Sequence, residues 1–269
     1  MVMDYGSNAI SPSRHSRGRR SPWKRVLLWA AIVVIVLILG IFLFLQAKTY
    51  SPLEEALTAL ESDGSVQVSE LKHGYRFEPA ASKELLLPNI IFYPGGLVKP
   101  ESYAPLARRL AEAGHRVYVA SMPFNLALTA QDRADEYIAE HPEESYVIGG
   151  HSLGGAFAAR YAAENPNKLA GIFFMGAYAD DGADLSGSKL AVLQITGTLD
   201  AVLNKETWKQ SKQNLPAELT EYVSIEGGNH GGFGTYGKQS GDNDATISAS
   251  EQADKVAAAI DAWLSKLQK

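Results

Sequence analysis

The sequence predicts an α/β domain: a mostly parallel sheet with helices on both faces, preceded by one membrane-spanning helix. Three observations carry this. From residue 51 onward, apolar runs of strand length alternate with amphipathic runs of helix length, the pattern of a parallel sheet covered on both sides. One junction, "SYVIGGHSLGGAFAARYAAEN", places Ser152 between Gly150 and Gly154 on a strand-to-helix turn. Ahead of the domain, Val26 to Leu45 is twenty residues without a charge, enough to span roughly 30 Å as a helix.

The elements follow in order. "SPLEEALTAL" has Leu53, Ala56, Leu57 and Leu60 at helical spacing. "SVQVSEL" and "YRFEPA" alternate on either side of "KHG", which predicts a hairpin. "NIIFYPGG" is a continuous apolar run closing on Pro-Gly-Gly, as in a strand buried on both faces. Pro100 to Ala113 reads as a helix with Tyr103, Leu106, Ala107 and Leu110 as its stripe and Gly114 as its stop. "HRVYVAS" is a strand, and Leu126 to Glu140 reads as a helix. "SYVIGG", "LAGIFFMG", "KLAVLQITG" and "TEYVSIEG" are further strands. The last helix starts at Ser248 with Glu251 as a capping box, and buries Val256, Ile260, Trp263, Leu264 and Leu267. About seventeen residues, Gly231 to Ile247, show no element, and loops of that length are often functional.

The domain boundaries expected are 1–25 for a basic disordered tail, 26–46 for a transmembrane anchor and 51–269 for the α/β domain. The first 25 residues carry Arg14, Arg17, Arg19, Arg20, Lys24 and Arg25 against Asp4 alone, while the whole chain nets −5. A basic tail can bind nucleic acid, but the apolar span behind it argues for a membrane instead. That span exceeds the about 7–15 apolar residues of a signal peptide, and Ala47 with Leu45 before it makes a poor cleavage site. A cleaved signal and a buried core helix are the competing readings. With the arginines on the N-terminal side, that side stays cytoplasmic and the domain faces outward. Trp23, Trp29 and Tyr50 sit near the ends of the span, where aromatic rings favour the headgroup region. The chain has no cysteine, which removes disulfides, thiol nucleophiles and cysteine-based metal centres.

Ser152 is the candidate nucleophile. A serine on so tight a turn points outward, and its neighbours two residues away must be small. The N–H of Leu153, opening the following helix, is placed to stabilise an oxyanion. A second donor is expected from "PGGLV", from Gly96 or Leu97. The hydroxyl needs a base. In strand–turn–helix serine sites the acid and then the histidine follow the serine along the chain. Of six histidines only His230, in "IEGGNHGGFG", comes later. The acid is expected after an intervening strand: Asp200 ends "VLQITGTLD", and Asp180 with Asp181 after "GIFFMGAYADD" compete with it. Gln239, Asp242, Asn243 and Asp244 in the long loop are candidates for orienting a substrate, or are simply solvated. Their spacing does not match a calcium loop of the EF-hand kind. No Walker-type loop and no GxGxxG is present.

"GGHSLGG", "GTLD" and "GGNH", in that order and with "FYPGG" upstream, resemble the α/β-hydrolase superfamily over residues 51–269. Within it, "FYPGGLVKPESYAPLARRLAEAGHRVYV", "MPFNLAL" and "FGTYGKQSGDNDATIS" resemble a bacterial branch grouped with dienelactone-hydrolase-like enzymes. Dienelactone hydrolases proper use a cysteine nucleophile, and this chain departs from them there. The resemblance implies an α/β-hydrolase fold and a serine hydrolase with a Ser152–His230–Asp200 triad, no cofactor and no metal, but does not carry a substrate. A small ester is expected from the chain itself: only about fourteen residues, "GAYADDGADLSGSK", join the strand ending near Met175 to the one starting near Leu190, too short and polar for an apolar lid. An amidase or peptidase on the same triad, and a non-catalytic binding protein of the same fold, are the alternatives.

Overall fold

The structure, a computed structural model, describes Met1, Met3 and residues 22–268. It forms two compact units, Met1–Phe44 and Leu45–Lys269. Helix α1 runs Pro22–Lys48. Within it Val26–Lys48 is long and apolar enough to cross a membrane, two residues beyond the expected end. Of the expected tail, 1–25, only Met1, Met3 and residues 22–25 are described, and residues 22–25 already belong to α1. Proline is well suited to the first helical position, because its missing N–H would have no partner there.

The second unit is built on one eight-stranded sheet: β1 (Val66–Leu71), β2 (Gly74–Pro79), β3 (Leu86–Tyr93), β4 (His115–Ala120), β5 (Tyr146–His151), β6 (Gly171–Met175), β7 (Ala191–Gly197) and β8 (Thr220–Ile225). The spatial order is β1-β2-β4-β3-β5-β6-β7-β8. The β1–β2 and β2–β4 pairings are antiparallel, and all others are parallel. The helices are α2 (Glu54–Thr58), α3 (Ala104–Ala113), α4 (Ala134–Ile138), α5 (Leu153–Glu164), α6 (Lys205–Gln210) and α7 (Ala249–Leu264).

Alternation along the strands divides the core in two. Ile90, Phe92, Val117, Val119, Phe173 and Ile195 face α3 and α7. Ile91, Tyr93, Tyr118, Ile148, Phe174 and Val192 face α4 and α5. Trp263 of α7 meets Phe173 edge-on, with ring centroids 6.4 Å apart, and is 2% exposed. Cutting such a residue to alanine costs about 3–5 kcal/mol. Ser248 caps α7 by accepting the Glu251 N–H at 3.1 Å, whereas the Glu251 carboxylate pairs with Lys255. The capping box is therefore half formed.

One expectation needs correction, and one helix is unexpected. The segment from Leu126 to Glu140 is not one helix but a 3-10 turn at Ala127–Thr129 followed by α4. The break has a physical cause: the Tyr93 hydroxyl reaches between the pieces, donating to Gln131 O at 2.7 Å and accepting the Ala134 N–H at 2.8 Å. The unexpected helix is α6, which no sequence signal marked, since Trp208 is its one large apolar residue. It is started by Asn204, whose side chain accepts the N–H groups of Glu206 and Thr207.

Strand order places the site. From β3 the chain goes to β4 on one side and then crosses to β5 on the other. The helices after β3 and β5 accordingly lie on opposite faces. A crevice opens where they diverge, beyond the carboxyl ends of the strands.

Candidate active site

Ser152 opens α5 with φ 52° and ψ −124°, a conformation an L-residue holds at a cost of about 1–3 kcal/mol. A serine at a helix start normally caps the next turn with its hydroxyl. Here the side chain makes no capping bond, so Oγ is left for other use. The flanking glycines are a steric requirement. A Cβ on Gly150 would lie 2.7 Å from Tyr93 O, and one on Gly154 would lie 2.2 Å from that oxygen and 2.3 Å from Pro94 O. The turn is thus pressed against the loop leaving β3.

That loop offers the expected donors unequally. The Leu97 N–H donates to Asn125 O at 2.7 Å, and the Gly95 N–H to the Tyr103 hydroxyl at 3.0 Å. Leu97 is therefore tied up as a donor. Among the described residues, neither the Gly96 N–H nor the Leu153 N–H has an acceptor. The two residues touch: a Cβ on Gly96 would lie 2.9 Å from Leu153 Cδ2. Two free N–H groups, one at the N-terminus of a twelve-residue helix, can together stabilise a negative oxygen.

Asp200 follows β7 and His230 follows β8, at the same edge of the sheet. His230 Nδ1 and Asp200 Oδ2 are 2.9 Å apart, and both residues are 1% exposed. The other carboxylate oxygen of Asp200 accepts the N–H groups of Val202 and Leu203 at 2.9 and 2.8 Å. The carboxylate is thereby held in place and aimed at Nδ1. His230 Nε2 is buried and has no partner among the described residues. Ser152 and His230 line one cleft of about 350 Å³, together with Leu153, Ala156, Tyr178, Val202 and Asn204. Asp180 also lines the cleft, but its carboxylate is bound to Arg160 at 2.6 Å and to the Gly182 N–H at 3.0 Å. Asp181 is exposed. The structure brings Asp200, not Asp180 or Asp181, to the histidine.

Residues 89–254 match the sequence model of the alpha/beta hydrolase family. The chain belongs to that family. Solved structures with the same fold include carboxyl esterase 2 of the mycorrhizal fungus Tuber melanosporum, at 13% identity and TM-score 0.59, covering 82% of this chain and 92% of that one. A bacterial heroin esterase superposes at 19% identity and TM-score 0.58, covering 78% and 88%. An esterase of Pyrobaculum calidifontis does so at 15% and 0.56, covering 80% and 90%. No curated protein sequence matches the chain.

Three features of this α/β hydrolase escaped the sequence reading. Gly176, with φ 53°, ends β6 directly over the acid–histidine pair. A Cβ there would lie 3.0 Å from both Asp200 Oδ2 and His230 Nδ1. A glycine ending a strand was its only visible signal. His151 is buried beside His230, with ring centroids 4.5 Å apart. Its Nδ1 lies 2.8 Å from the Tyr103 hydroxyl. Burial, and then the neighbouring His230, push the His151 pKa well below the ordinary histidine value. The ring is therefore neutral. The Tyr103 hydroxyl thus joins the Gly95 N–H, which it accepts, to Nδ1 of His151.

The third feature is Asp242, expected either to face a substrate or to be solvated. It does neither. Its carboxylate accepts the N–H of Ala201 at 3.1 Å and of Gly231 at 2.8 Å. Asn243 donates to Leu199 O at 3.0 Å, and Asp244 pairs with Lys238. Gln239 accepts from the Tyr236 hydroxyl at 2.7 Å. The long loop is a brace across the Asp200 and His230 turns.

Proposed function

We propose that this α/β hydrolase is a membrane-anchored serine esterase that cleaves small esters through a Ser152–His230–Asp200 triad and an acyl-enzyme. The observation that carries the reading is the buried 2.9 Å contact between His230 Nδ1 and Asp200 Oδ2, with Nε2 left unpartnered in a residue that shares its cleft with Ser152.

Ser152 Oγ attacks the ester carbonyl carbon while His230 Nε2 takes its proton. The carbonyl oxygen becomes an oxyanion and is held by the N–H groups of Gly96 and Leu153. As the C–O bond to the alcohol breaks, the departing oxygen takes the proton back from His230. Water then attacks the acyl-Ser152 ester with His230 as base, releasing the acid and restoring the hydroxyl. Asp200 keeps the imidazole in the Nδ1–H tautomer and stabilises the imidazolium without taking its proton.

Ester substrates agree with the solved structures of similar fold, which include esterases. For the membrane, the support is α1 and the six basic residues before its apolar span; basic residues on that side favour a cytoplasmic N-terminus and a domain outside.

The deciding experiment is labelling with a fluorophosphonate, followed by a panel of esters and amides. Wild-type chain should label at Ser152 and hydrolyse short esters; Ser152→Ala should do neither while melting at the wild-type temperature. Labelling of Ser152→Ala at the wild-type rate would remove the serine from the chemistry. Faster turnover of the amides would move the enzyme to the amidases. External protease on intact cells should digest the domain, and protection until lysis would reverse the topology.

A further inference from the structure

Tyr50 lies two residues past the end of α1, and its backbone forms a parallel bridge with Val98. The Tyr50 N–H donates to Leu97 O at 2.7 Å, and Tyr50 O accepts the Lys99 N–H at 3.1 Å. This bridge lies in the loop that carries Gly96. The Leu97 backbone is consequently gripped from two sides, its N–H by Asn125 O and its C=O by the Tyr50 N–H. Leu97 has φ 57°, which a γ-branched residue with no local compensation avoids. The two bonds hold it there. The Leu97–Val98 peptide gripped by Tyr50 also donates its Val98 N–H to Gly95 O at 3.2 Å, and Gly95 O belongs to the peptide that carries the Gly96 N–H.

The Tyr50 side chain ties the same point to the histidine loop. Its hydroxyl accepts the Ser240 N–H at 3.1 Å, and its ring packs on Tyr236 with centroids 5.3 Å apart. The ring is half-buried and spent on the domain, so Tyr50 is not the headgroup-region aromatic expected from its place beside the apolar span.

We infer that Tyr50 is a positioning residue for the oxyanion site: the linker leaving α1 supplies the strand that sets Gly96 opposite Leu153. The inference rests on the esterase reading. Oxyanion donors act only when aimed at the oxygen of the transition state, and a displacement of about 1 Å can cost about 10²-fold in rate. With the Leu97–Val98 peptide fixed by Tyr50, the Val98 N–H holds Gly95 O and with it the Gly96 N–H; without Tyr50 that peptide can rotate and release Gly95 O. The segment after α1 is thus part of the catalytic apparatus as well as a tether. Proteolytic release before Thr49 keeps the bridge, and release after Tyr50 destroys it.

The test uses the full chain in detergent micelles with p-nitrophenyl butyrate. Tyr50→Pro removes the donor to Leu97 O. Lys99→Pro removes the donor to Tyr50 O at a residue whose φ of −65° already suits proline. Lys99→Ala, which keeps the N–H, is its reference. Tyr50→Pro should lower kcat by about 10- to 100-fold, and Lys99→Pro should lower it about tenfold relative to Lys99→Ala, with KM within about threefold. The inhibition constant of a trifluoromethyl ketone, which forms an oxyanion on the serine, should rise by the same factor as kcat falls. If Tyr50→Pro does not fold, the Lys99 pair decides. Wild-type kcat in Lys99→Pro, or a change confined to KM, would overturn the inference. If Ser152→Ala still turns over substrate, it is the esterase reading that fails; if Ser152→Ala is inactive and both proline variants are normal, only the role of Tyr50 does.

Discussion

Asp242 accepts the Gly231 N–H at 2.8 Å, and with its other oxygen it accepts the Ala201 N–H at 3.1 Å. Gly231 follows His230 and Ala201 follows Asp200, so one carboxylate spans the two turns that carry the buried pair. Hydrogen bonds to a charged acceptor contribute about 1.5–3 kcal/mol each. Asp242→Ala should therefore lower kcat by about 10- to 100-fold with KM little changed. Steady-state kinetics beside a melting curve check this: an unchanged kcat would make the brace structural only.

Asp200→Asn should cut kcat by about 10³–10⁴, because the amide no longer enforces the Nδ1–H tautomer. Asp180→Asn should leave kcat within a few-fold. Its carboxylate serves Arg160 in a half-exposed ion pair, a class contributing about 0–1 kcal/mol. The two variants assayed together separate the acids; a reversed ranking would reassign the triad.

Gly176→Ala puts a methyl 3.0 Å from the acid and from the histidine, on a backbone at φ 53°. The added strain is about 1–2 kcal/mol, which a domain of this size tolerates. The expected result is a folded protein with slower fluorophosphonate labelling and lower kcat. Labelling at the wild-type rate would show that the pair can shift to make room.

The parts of this structure legible in the sequence are those with a local period. Strands such as β3 and β6 declare themselves by apolar runs, and α3 by its stripe and closing glycine. Chain order brings Ser152 and His230 to one sheet edge but leaves Asp200 in competition with Asp180 and Asp181, which only the 2.9 Å contact of Asp200 with His230 separates. What stayed hidden depends on long-range backbone contacts. Ser240 meets Tyr50 across 190 residues, and Ala201 meets Asp242 across 41; no periodicity records either. The segment 126–140 was misread because its helical spacing is genuine while the Tyr93 hydroxyl that interrupts it comes from another strand. Gly96 and Leu97 looked equivalent because the difference lies in which N–H meets Asn125.

Stability should fall in acid through His151. Its pKa is depressed in the folded state by burial beside His230 and Tyr103, whereas in the unfolded chain it titrates near about 6.5. Below that pH the unfolded state binds a proton that the folded state refuses, so stability is lost as pH drops. The slope is about 1.4 kcal/mol per pH unit until the folded-state pKa is reached. Melting temperatures between pH 7 and pH 5 should decline more steeply for the wild type than for His151→Gln. Parallel curves would place the acid sensitivity elsewhere.

The acyl-chain preference follows from what covers the cleft. Between β6 and β7, where a helical lid would be inserted over a lipid site, residues 176–190 form only turns and extended chain. They carry Asp180, Asp181, Asp184 and Lys189. The segment after α1 does not serve as a lid either. Leu53 N–H donates to Thr235 O at 3.0 Å, and Ala59 O accepts from Arg108 at 3.1 Å, which pins α2 to the domain at both ends. The cleft of about 350 Å³ offers Leu153, Ala156, Ala177, Val202 and Leu203 as apolar wall beside Tyr178, Asp180 and Asn204, room for a few carbons and no more. A methylene contributes about 0.8 kcal/mol only when it meets an apolar wall, so binding gains should cease after the first few carbons. For p-nitrophenyl esters kcat/KM should therefore peak at about C2–C6 and decline by about C10. A steady rise from C4 to C16 would mean that the long acyl chain finds an apolar surface beyond the cleft, and the substrate would then be a lipid.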